Sequence, residues 1–235
     1  ENIPIINTTI KKLKYTCWKG YNETHVYILM GDLGGGGESG DADDTSFQLY
    51  DVTDNVFIGE LHGNKDDPYV AVSVAIQVLH DFGTGVFVLE WNRFPSIGTH
   101  VKTQLKYPNM WKAPLRQNES VEAYWARPYG MHVSAKSHGP REPAAEELLA
   151  TFKSDFNNGT FKVLNPRLLD TMQNWNPDRQ KHCPDRIAAA RLRRLGLDMA
   201  YSLAPATGQA PVGPRMGRDI VIEYGPRRSA YIAGL

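Results

Sequence analysis

The sequence predicts an α/β fold, a mainly parallel sheet with helices on both faces, from three observations. Short apolar runs alternate along the chain with segments of helical periodicity, as layered α/β domains require. Two of the apolar runs end in a glutamate, Glu60 and Glu90. The 235 residues are 41% hydrophobic and 22% charged, the composition of an ordinary globular protein. We expect a single domain over residues 1–235.

The expected elements follow a poorly patterned N-terminal segment, residues 1–24. A first strand is predicted at residues 25–30, and a glycine-rich acidic loop at residues 33–44. The two apolar runs that end in glutamate predict strands at residues 56–58 and 86–89. Further helices are predicted at residues 118–126, 143–156, 166–175 and 184–203, and further strands at residues 131–135, 160–164 and 219–224.

Residues 67–82 can be interpreted in two ways. Asp67-Pro68 is a good helix start, and Gly83 is a good helix stop. Against a helix, β-branched residues alternate with smaller or polar ones at Val70, Val72, Val74, Ile76 and Val78. A helix here would form a β-α-β unit, whereas a strand would favour the alternative fold, an all-β sandwich.

Composition also bears on partners. No window approaches 18 consecutive apolar residues, so no membrane span is expected. The formal net charge of +0 gives no electrostatic reason to expect nucleic acid as a partner. The basic residues 191–194 are interpreted as a solvated face. A small-molecule ligand or substrate is therefore the expected partner.

Asn-X-Ser/Thr triplets suggest an extracytoplasmic, secreted glycoprotein. Such triplets occur at Asn7, Asn22, Asn118 and Asn158. The chain has two cysteines, Cys17 and Cys183, which in an oxidising compartment could form one disulfide or stay unpaired. The sequence leaves this pairing open.

Polar side chains at the ends of the two apolar runs indicate a site. Glu60, His62 and Glu90 follow predicted strands, and the carboxyl ends of parallel strands open into a shared crevice. A carboxylate next to an imidazole can activate water by general base catalysis. The same three side chains could instead hold a divalent metal. The residues themselves do not decide between these two roles.

The segments Phe57-Ile58-Gly59-Glu60-Leu61-His62-Gly63 and, thirty positions on, Val88-Leu89-Glu90 resemble the superfamily that joins the erythromycin esterases to the ChaN-like haem-uptake proteins. The resemblance implies that residues 67–82 are a crossover helix and that Glu60, His62 and Glu90 line the pocket. It implies a hydrolase that activates water on an ester-like or lactone-like small molecule. A haem- or iron-binding protein is the alternative within the same superfamily.

Two weaker resemblances suggest other functions. Leu89-Glu90-Trp91-Asn92 is similar to the metal-binding strand of legume lectins, which would suit a secreted β-sandwich glycoprotein that binds or cleaves carbohydrate. Gly31-Asp32 and Gly63-Asn64 are similar to blocks of the metallophosphoesterases, although Lys65 stands where that class has a histidine.

Overall fold

A computed structural model of the protein describes residues 5–10, 13–34, 44–63, 67–83, 85–91, 94–116, 118–132, 144–176 and 183–203. The strands in these residues are β1 (Ile6–Ile10), β2 (Leu13–Cys17), β3 (Tyr27–Asp32), β4 (Thr45–Asp51), β5 (Val56–Gly63), β6 (Val86–Glu90) and β7 (Lys162–Val163). The helices are α1 (Pro68–Asp81), α2 (Ser96–Thr103), α3 (Val121–Ala126), α4 (Ala145–Asn157), α5 (Pro166–Asn174), α6 (Asp185–Ala190) and α7 (Arg193–Leu203).

The described strands form one mixed sheet with the order β1-β2-β5-β4-β3-β6, and β7 lies beside β5. The consecutive strands β3, β4 and β5 pair antiparallel, and β2 and β1 extend this antiparallel part. Among the described strands, the parallel pairs are β3 with β6 and β5 with β7. The α/β class is therefore confirmed, whereas the prediction of a mainly parallel sheet is wrong.

Strand β4 explains this difference, because the sequence analysis did not recognise it. The run Ser46-Phe47-Gln48-Leu49 alternates polar and apolar residues, but it is short and every residue of β4 is buried, so its polar members do not mark a solvent-exposed face. Because β4 pairs with both β3 and β5, the chain after β5 must pass over two strands before β6 can pair with β3. The helix that makes this crossing is α1.

Helix α1 settles the ambiguity at residues 67–82. The Asp67 side chain accepts a hydrogen bond from the Tyr69 backbone N–H at 2.8 Å, and Pro68 occupies the first turn. Gly83 follows the helix with a φ of 74°, a conformation that glycine adopts without strain. Burial of one helical face outweighs the β propensity of the valines. The all-β sandwich is therefore wrong.

Helices cover both faces of the sheet. On one face, residues such as Leu29 and Phe87 pack with α1 and α2. On the other face, residues such as Ile28 and Val88 pack with α4, α5, α6 and α7. Side chains of a strand alternate between the two faces, so the side chains of Asp32 and Glu90 point to the second face. No helix of the described part of the chain is long and apolar enough to cross a membrane.

Other predictions had mixed outcomes. The predicted helices at residues 118–126, 143–156 and 166–175 are confirmed as α3, α4 and α5, and the strand at residues 25–30 is confirmed as β3. The N-terminal segment contains β1 and β2, which had no clear sequence pattern. The strand predicted at residues 219–224 and most of the loop at residues 33–44 lie outside the described residues.

The helix predicted at residues 184–203 is two helices, α6 and α7. The break lies at Arg191 and Leu192. It does not lie at Gly196, although glycine is a weak helix former. Gly196 has a packing role instead, because a Cβ there would come within 2.9 Å of the Ile28 side chain. The glycine thus lets α7 pack closely against β3.

Replacement of Gly85 by alanine should destabilise the β3–β6 pair. A Cβ at Gly85 would lie 2.1 Å from the Tyr27 carbonyl oxygen, a backbone atom of β3 that has no free movement. We expect Gly85→Ala to lower the free energy of unfolding by about 2 to 3 kcal/mol in urea denaturation. The control is Gly20→Ala, whose Cβ would meet the Ile5 side chain at an ordinary 3.7 Å. Equal stability of the two variants would contradict the close approach at Gly85.

Candidate functional site

Two carboxylates end the neighbouring parallel strands β3 and β6. Asp32 is the last residue of β3, Glu90 is the last residue of β6, and the two are direct partners in the register of the pair. Partners in adjacent strands have Cα atoms about 4.8 Å apart and side chains on the same face. Glu90 is buried and Asp32 is half-buried. The register therefore places two carboxylates side by side at one edge of the sheet.

The same row of the sheet continues across β4 and β5. Asp32 pairs with Ser46, and Ser46 pairs with His62. In the next row of the same face, Gln48, two residues after Ser46, pairs with Glu60, two residues before His62. Partners, and residues two apart on one strand, share a face. These polar side chains therefore all point to the face that α6 covers.

Helix α6 brings a third carboxylate and an arginine to this row. Asp185, its first residue, accepts a hydrogen bond at Oδ2 from the Asp44 backbone N–H at 2.9 Å. Arg191, the residue after the helix, places Nη2 at 3.1 Å from Oε2 of Glu90. The side chains of this ion pair are 8% and 4% exposed, so water screens it little.

The thiol of Cys183 lies in the same region of the molecule as Asp32, Glu90 and Asp185. Burial raises the pKa of Cys183 to about 12; Arg191 opposes this rise, while Asp32, Glu90 and Asp185 add to it. Helix α6 packs on the face to which Asp32 and Glu90 point, so Asp185 at its start lies on the same side of the sheet as these two carboxylates. At neutral pH the thiol is protonated and adds no charge to the cluster.

Glu60 is fully buried and strongly bonded. Its Oε1 lies 3.0 Å from Arg167 Nη1, and its Oε2 lies 3.0 Å from Arg186 Nε and 2.9 Å from Asn165 Nδ2. Burial raises the pKa of Glu60, but Arg186, Asn165 and Arg167 together outweigh burial and hold the pKa below its ordinary value. The carboxylate therefore stays ionised and anchors α5 and α6 to the sheet.

His62 is half-buried among polar neighbours. Its Nε2 lies 3.0 Å from Oδ2 of Asp44. Burial lowers the pKa of His62, and Arg186 lowers it further, against the opposite effects of Glu60 and Asp44. Its Nδ1 is buried and has no hydrogen-bond partner in the described part of the chain. The imidazole is therefore neutral at pH 7.

The structure does not gather Glu60, His62 and Glu90 at one point. Strands β4 and β3 lie between β5 and β6, so Glu60 and Glu90 are about 14 Å apart at about 4.8 Å per strand. Glu90 instead neighbours Asp32 across the β3–β6 pair. The assignment of Glu60, His62 and Glu90 to catalysis stays a prediction.

Several residues of the cluster carried little signal in the sequence. Asp32 ends the apolar run YILMGD just as Glu90 ends VFVLE, and this shared position could have singled it out. Asp185 and Arg191 follow no such run. The interpretation of residues 191–194 as a solvated face is wrong for Arg191 and Arg193, because both side chains are buried.

A second polar cluster lies at the other end of β3 and β4. His25, Asp51 and Asp54 are the group of three donors found in the described residues whose ligand atoms all lie within 4.8 Å of one another. The Lys19 ammonium already contacts both carboxylates, with its Nζ 2.6 Å from Oδ2 of Asp51. A side chain of the protein itself thus balances one of the two negative charges of this cluster.

The donors around Cys183 suit a hard divalent cation. Asp32, Glu90 and Asp185 offer carboxylate oxygens, which Mg²⁺ and Mn²⁺ prefer as ligands. The trio is more widely spaced than the His25 cluster. Arg191 engages one oxygen of Glu90, so the ion pair fixes the orientation of that carboxylate.

Comparison with solved structures shows what this fold resembles. The chain is similar to the large terminase nuclease from thermophilic phage G20c in its crystal structure with bound zinc, with a TM-score of 0.51 and 16% identity, over 86% of this chain and 94% of that chain. The same nuclease with bound magnesium gives a TM-score of 0.50 and 16% identity, over 85% of this chain and 92% of that chain. The sequence matches no protein-family model and no curated protein. At this identity the likeness shows the fold alone.

This fold corrects the resemblance to the erythromycin esterases and ChaN-like proteins, which is wrong. Their shared pattern requires the strand before Glu60 and the strand before Glu90 to flank one crossover helix as neighbours, but β4 and β3 separate them. The esterase, haem-binding and carbohydrate-binding functions are overturned with it. The thirty-residue spacing arises from a different strand order.

The structure answers the cysteine pairing that the sequence left open, and the electrostatic argument against a nucleic-acid partner does not hold. Cys17 and Cys183 are both free thiols. A formal net charge of +0 does not exclude nucleic acid, because binding depends on charge at the interface rather than on the total. No finding supports secretion or glycosylation.

The buried carboxylate of Glu60 should make stability depend on acid pH. Its pKa is lowered by folding, so its contribution is present above the ordinary value of 4.5 and is lost as the pH falls through the lower folded-state pKa. We expect Glu60→Gln to lower the free energy of unfolding by about 3 kcal/mol at pH 7, with the deficit shrinking below pH 4.5.

Urea denaturation of both proteins across this pH range measures the effect. Glu23→Gln is the control, because Glu23 is exposed on a loop and its loss should leave stability unchanged at every pH. A deficit for Glu60→Gln that stayed constant down to acid pH would contradict the ionised anchor.

Proposed function

We propose that this chain is a nuclease domain that hydrolyses phosphodiester bonds with the help of divalent metal ions. The observation that carries the proposal is the in-register pair of Asp32 and Glu90 at the ends of β3 and β6, with Asp185 placed beside it by α6. The likeness in fold to a phage large terminase nuclease with bound zinc or magnesium supports it.

Asp32, Glu90 and Asp185 would hold the cation. When bound, a divalent cation stabilises charge that develops on a phosphate and lowers the pKa of a water molecule. The part of the chain is to present oxygen donors from two strands and one helix, elements whose backbones are fixed by hydrogen bonds. Rigid supports of this kind keep donor positions constant between turnovers.

Arg191 is proposed to position Glu90. Its guanidinium holds one carboxylate oxygen at 3.1 Å in a pair that is almost fully buried. The positive charge favours the ionised carboxylate, which is the form that binds metal. Removal of Arg191 would leave a buried charge without this partner, so the pair also stabilises the fold.

Glu60 and His62 have other surroundings in this proposal. Glu90 keeps the metal-binding role predicted from the sequence. Glu60 accepts hydrogen bonds from Arg167 and Arg186, and His62 contacts Asp44. A direct part for Glu60 or His62 in catalysis stays a prediction from the sequence.

A nucleic-acid substrate is compatible with the charge distribution. Residues 100–132, which lie next to β6 through bridges at Met110 and Met131, contain five Lys or Arg and two Asp or Glu. This local excess of positive charge would attract a polyanion that the neutral total charge does not reveal. A single domain over residues 1–235 and an extracytoplasmic location stay predictions from the sequence.

Metal-dependent cleavage of duplex DNA tests the proposed function. With Mg²⁺ or Mn²⁺ we expect cleavage of a labelled duplex, which a chelator abolishes. Asp32→Asn should lower the rate by more than about 100-fold, because a neutral amide replaces a charged ligand. The variant should also lose the rise in melting temperature that metal gives to the wild-type protein.

Asp198→Asn is the matched control, because Asp198 is exposed on α7, away from the carboxylate cluster. It should cleave DNA and respond to metal like the wild-type protein. Full cleavage by Asp32→Asn, or metal stabilisation that does not depend on Asp32, would contradict the proposed site.

A further inference from the structure

Two arginines share the buried carboxylate of Glu60. Arg167 begins α5 and Arg186 lies in the first turn of α6, and each places one nitrogen 3.0 Å from a different oxygen of Glu60. Asn165 donates to Glu60 as well. One guanidinium would be enough to neutralise this carboxylate. The second arginine is therefore not required for the charge of Glu60 alone.

Both guanidinium groups have N–H donors beyond those that contact Glu60. An arginine has five N–H donors in a planar fork, and each of these two side chains gives one nitrogen to Glu60. No acceptor in the described residues contacts their other nitrogens. The Arg167 side chain is 40% exposed and that of Arg186 is 22% exposed. The unused edges therefore reach solvent while Glu60 holds the inner edges in place.

The arginine pair lies close to the proposed metal-binding carboxylates. Arg186 directly follows Asp185, and Glu60 is on the same sheet face as Asp32. Two strands sideways and two residues along the sheet separate Glu60 from Asp32, a distance of about 12 Å. A strand of DNA that enters the carboxylate cluster would bring a neighbouring phosphate to the arginines.

We infer that Arg167 and Arg186 form a binding subsite for a backbone phosphate of the nucleic acid, with Glu60 as the residue that positions both guanidinium groups. The inference rests on the proposed nuclease function and names how that site holds its substrate. Arginine suits this role because its fork binds two phosphate oxygens at once. Prior fixation by Glu60 reduces the side-chain entropy that binding would otherwise cost.

Binding of a fluorescent DNA duplex in the presence of chelator tests the subsite without cleavage. Arg167→Gln is the main variant, because Arg167 is the more exposed arginine and Arg186 still neutralises Glu60 in its absence. We expect affinity to fall roughly fivefold and the slope of log affinity against log salt to become shallower by about 0.9, the loss of one phosphate contact. Arg167→Lys should keep the wild-type salt slope, because it keeps the charge.

Arg194→Gln is the matched control. The Arg194 side chain is 64% exposed, and its carboxylate neighbour Asp155 is 4.0 Å away. Its replacement should leave both affinity and salt slope unchanged. Melting curves should show that all variants are folded. In cleavage assays with metal, Arg167→Gln should raise KM by a factor similar to its loss of affinity, with kcat nearly unchanged.

The results separate this inference from the proposed function. A folded Arg167→Gln with wild-type affinity and salt slope would overturn the subsite and show that the arginines only anchor α5 and α6. Cleavage that depends on Asp32 would still stand in that case. A wild-type protein that does not bind duplex DNA would overturn the subsite, and absence of metal-dependent cleavage would overturn the proposed function separately.

Discussion

The parallel pairing of β3 with β6 is the constraint on which the proposed site depends. Its register sets Asp32 opposite Glu90. A slip of one residue would turn one carboxylate to the face covered by α1 and α2. The residues that precede the two carboxylates, Tyr27 to Met30 and Val86 to Leu89, are apolar and buried, so a slip would also exchange the side chains of two separate hydrophobic clusters. The packing of the core therefore fixes the spacing of the carboxylates, and no loop is needed to set it.

Burial of charge is the second constraint, and the helices on this face satisfy it. A buried carboxylate is costly unless a cation and hydrogen bonds compensate it. Glu60 and Glu90 are both buried, and each has an arginine partner that comes from α6 or from the residue after it. The same short helix begins with Asp185, a third carboxylate of the cluster. One segment of the chain thus supplies both charge compensation and a proposed metal ligand, which ties the stability of this face to its chemistry.

Local rules located the apolar strands that lead to Glu60 and Glu90, but they left residues 67–82 open, because Asp67-Pro68 and Gly83 indicated a helix while the alternating valines indicated a strand. Non-local pairing could not be predicted in the same way. The alternating run of β4 is only a few residues long and did not predict a strand, and without β4 Glu60 and Glu90 look like the ends of adjacent strands. Charged residues are expected at the surface, so buried arginines such as Arg191 become visible only through a partner 101 residues away. The chemistry of this face therefore depended on the contacts that sequence patterns reveal least.

One short segment around α6 serves both buried carboxylates. Successive residues of an α-helix turn by about 100°, so side chains five positions apart, as Arg186 and Arg191 are, would point about 140° away from each other. Both must nevertheless reach carboxylates on one face of the sheet, at Glu60 and Glu90. Arg191 follows the last residue of α6 but keeps helical backbone angles and donates its N–H to the Ile187 carbonyl oxygen, so the length of its side chain lets it reach Glu90. Helix α7 then starts at Arg193, whose guanidinium contacts Asp155 and the Tyr50 hydroxyl. The long side chains of the two arginines, rather than the break between the helices, therefore allow one short segment of the chain to supply cations to both Glu60 and Glu90.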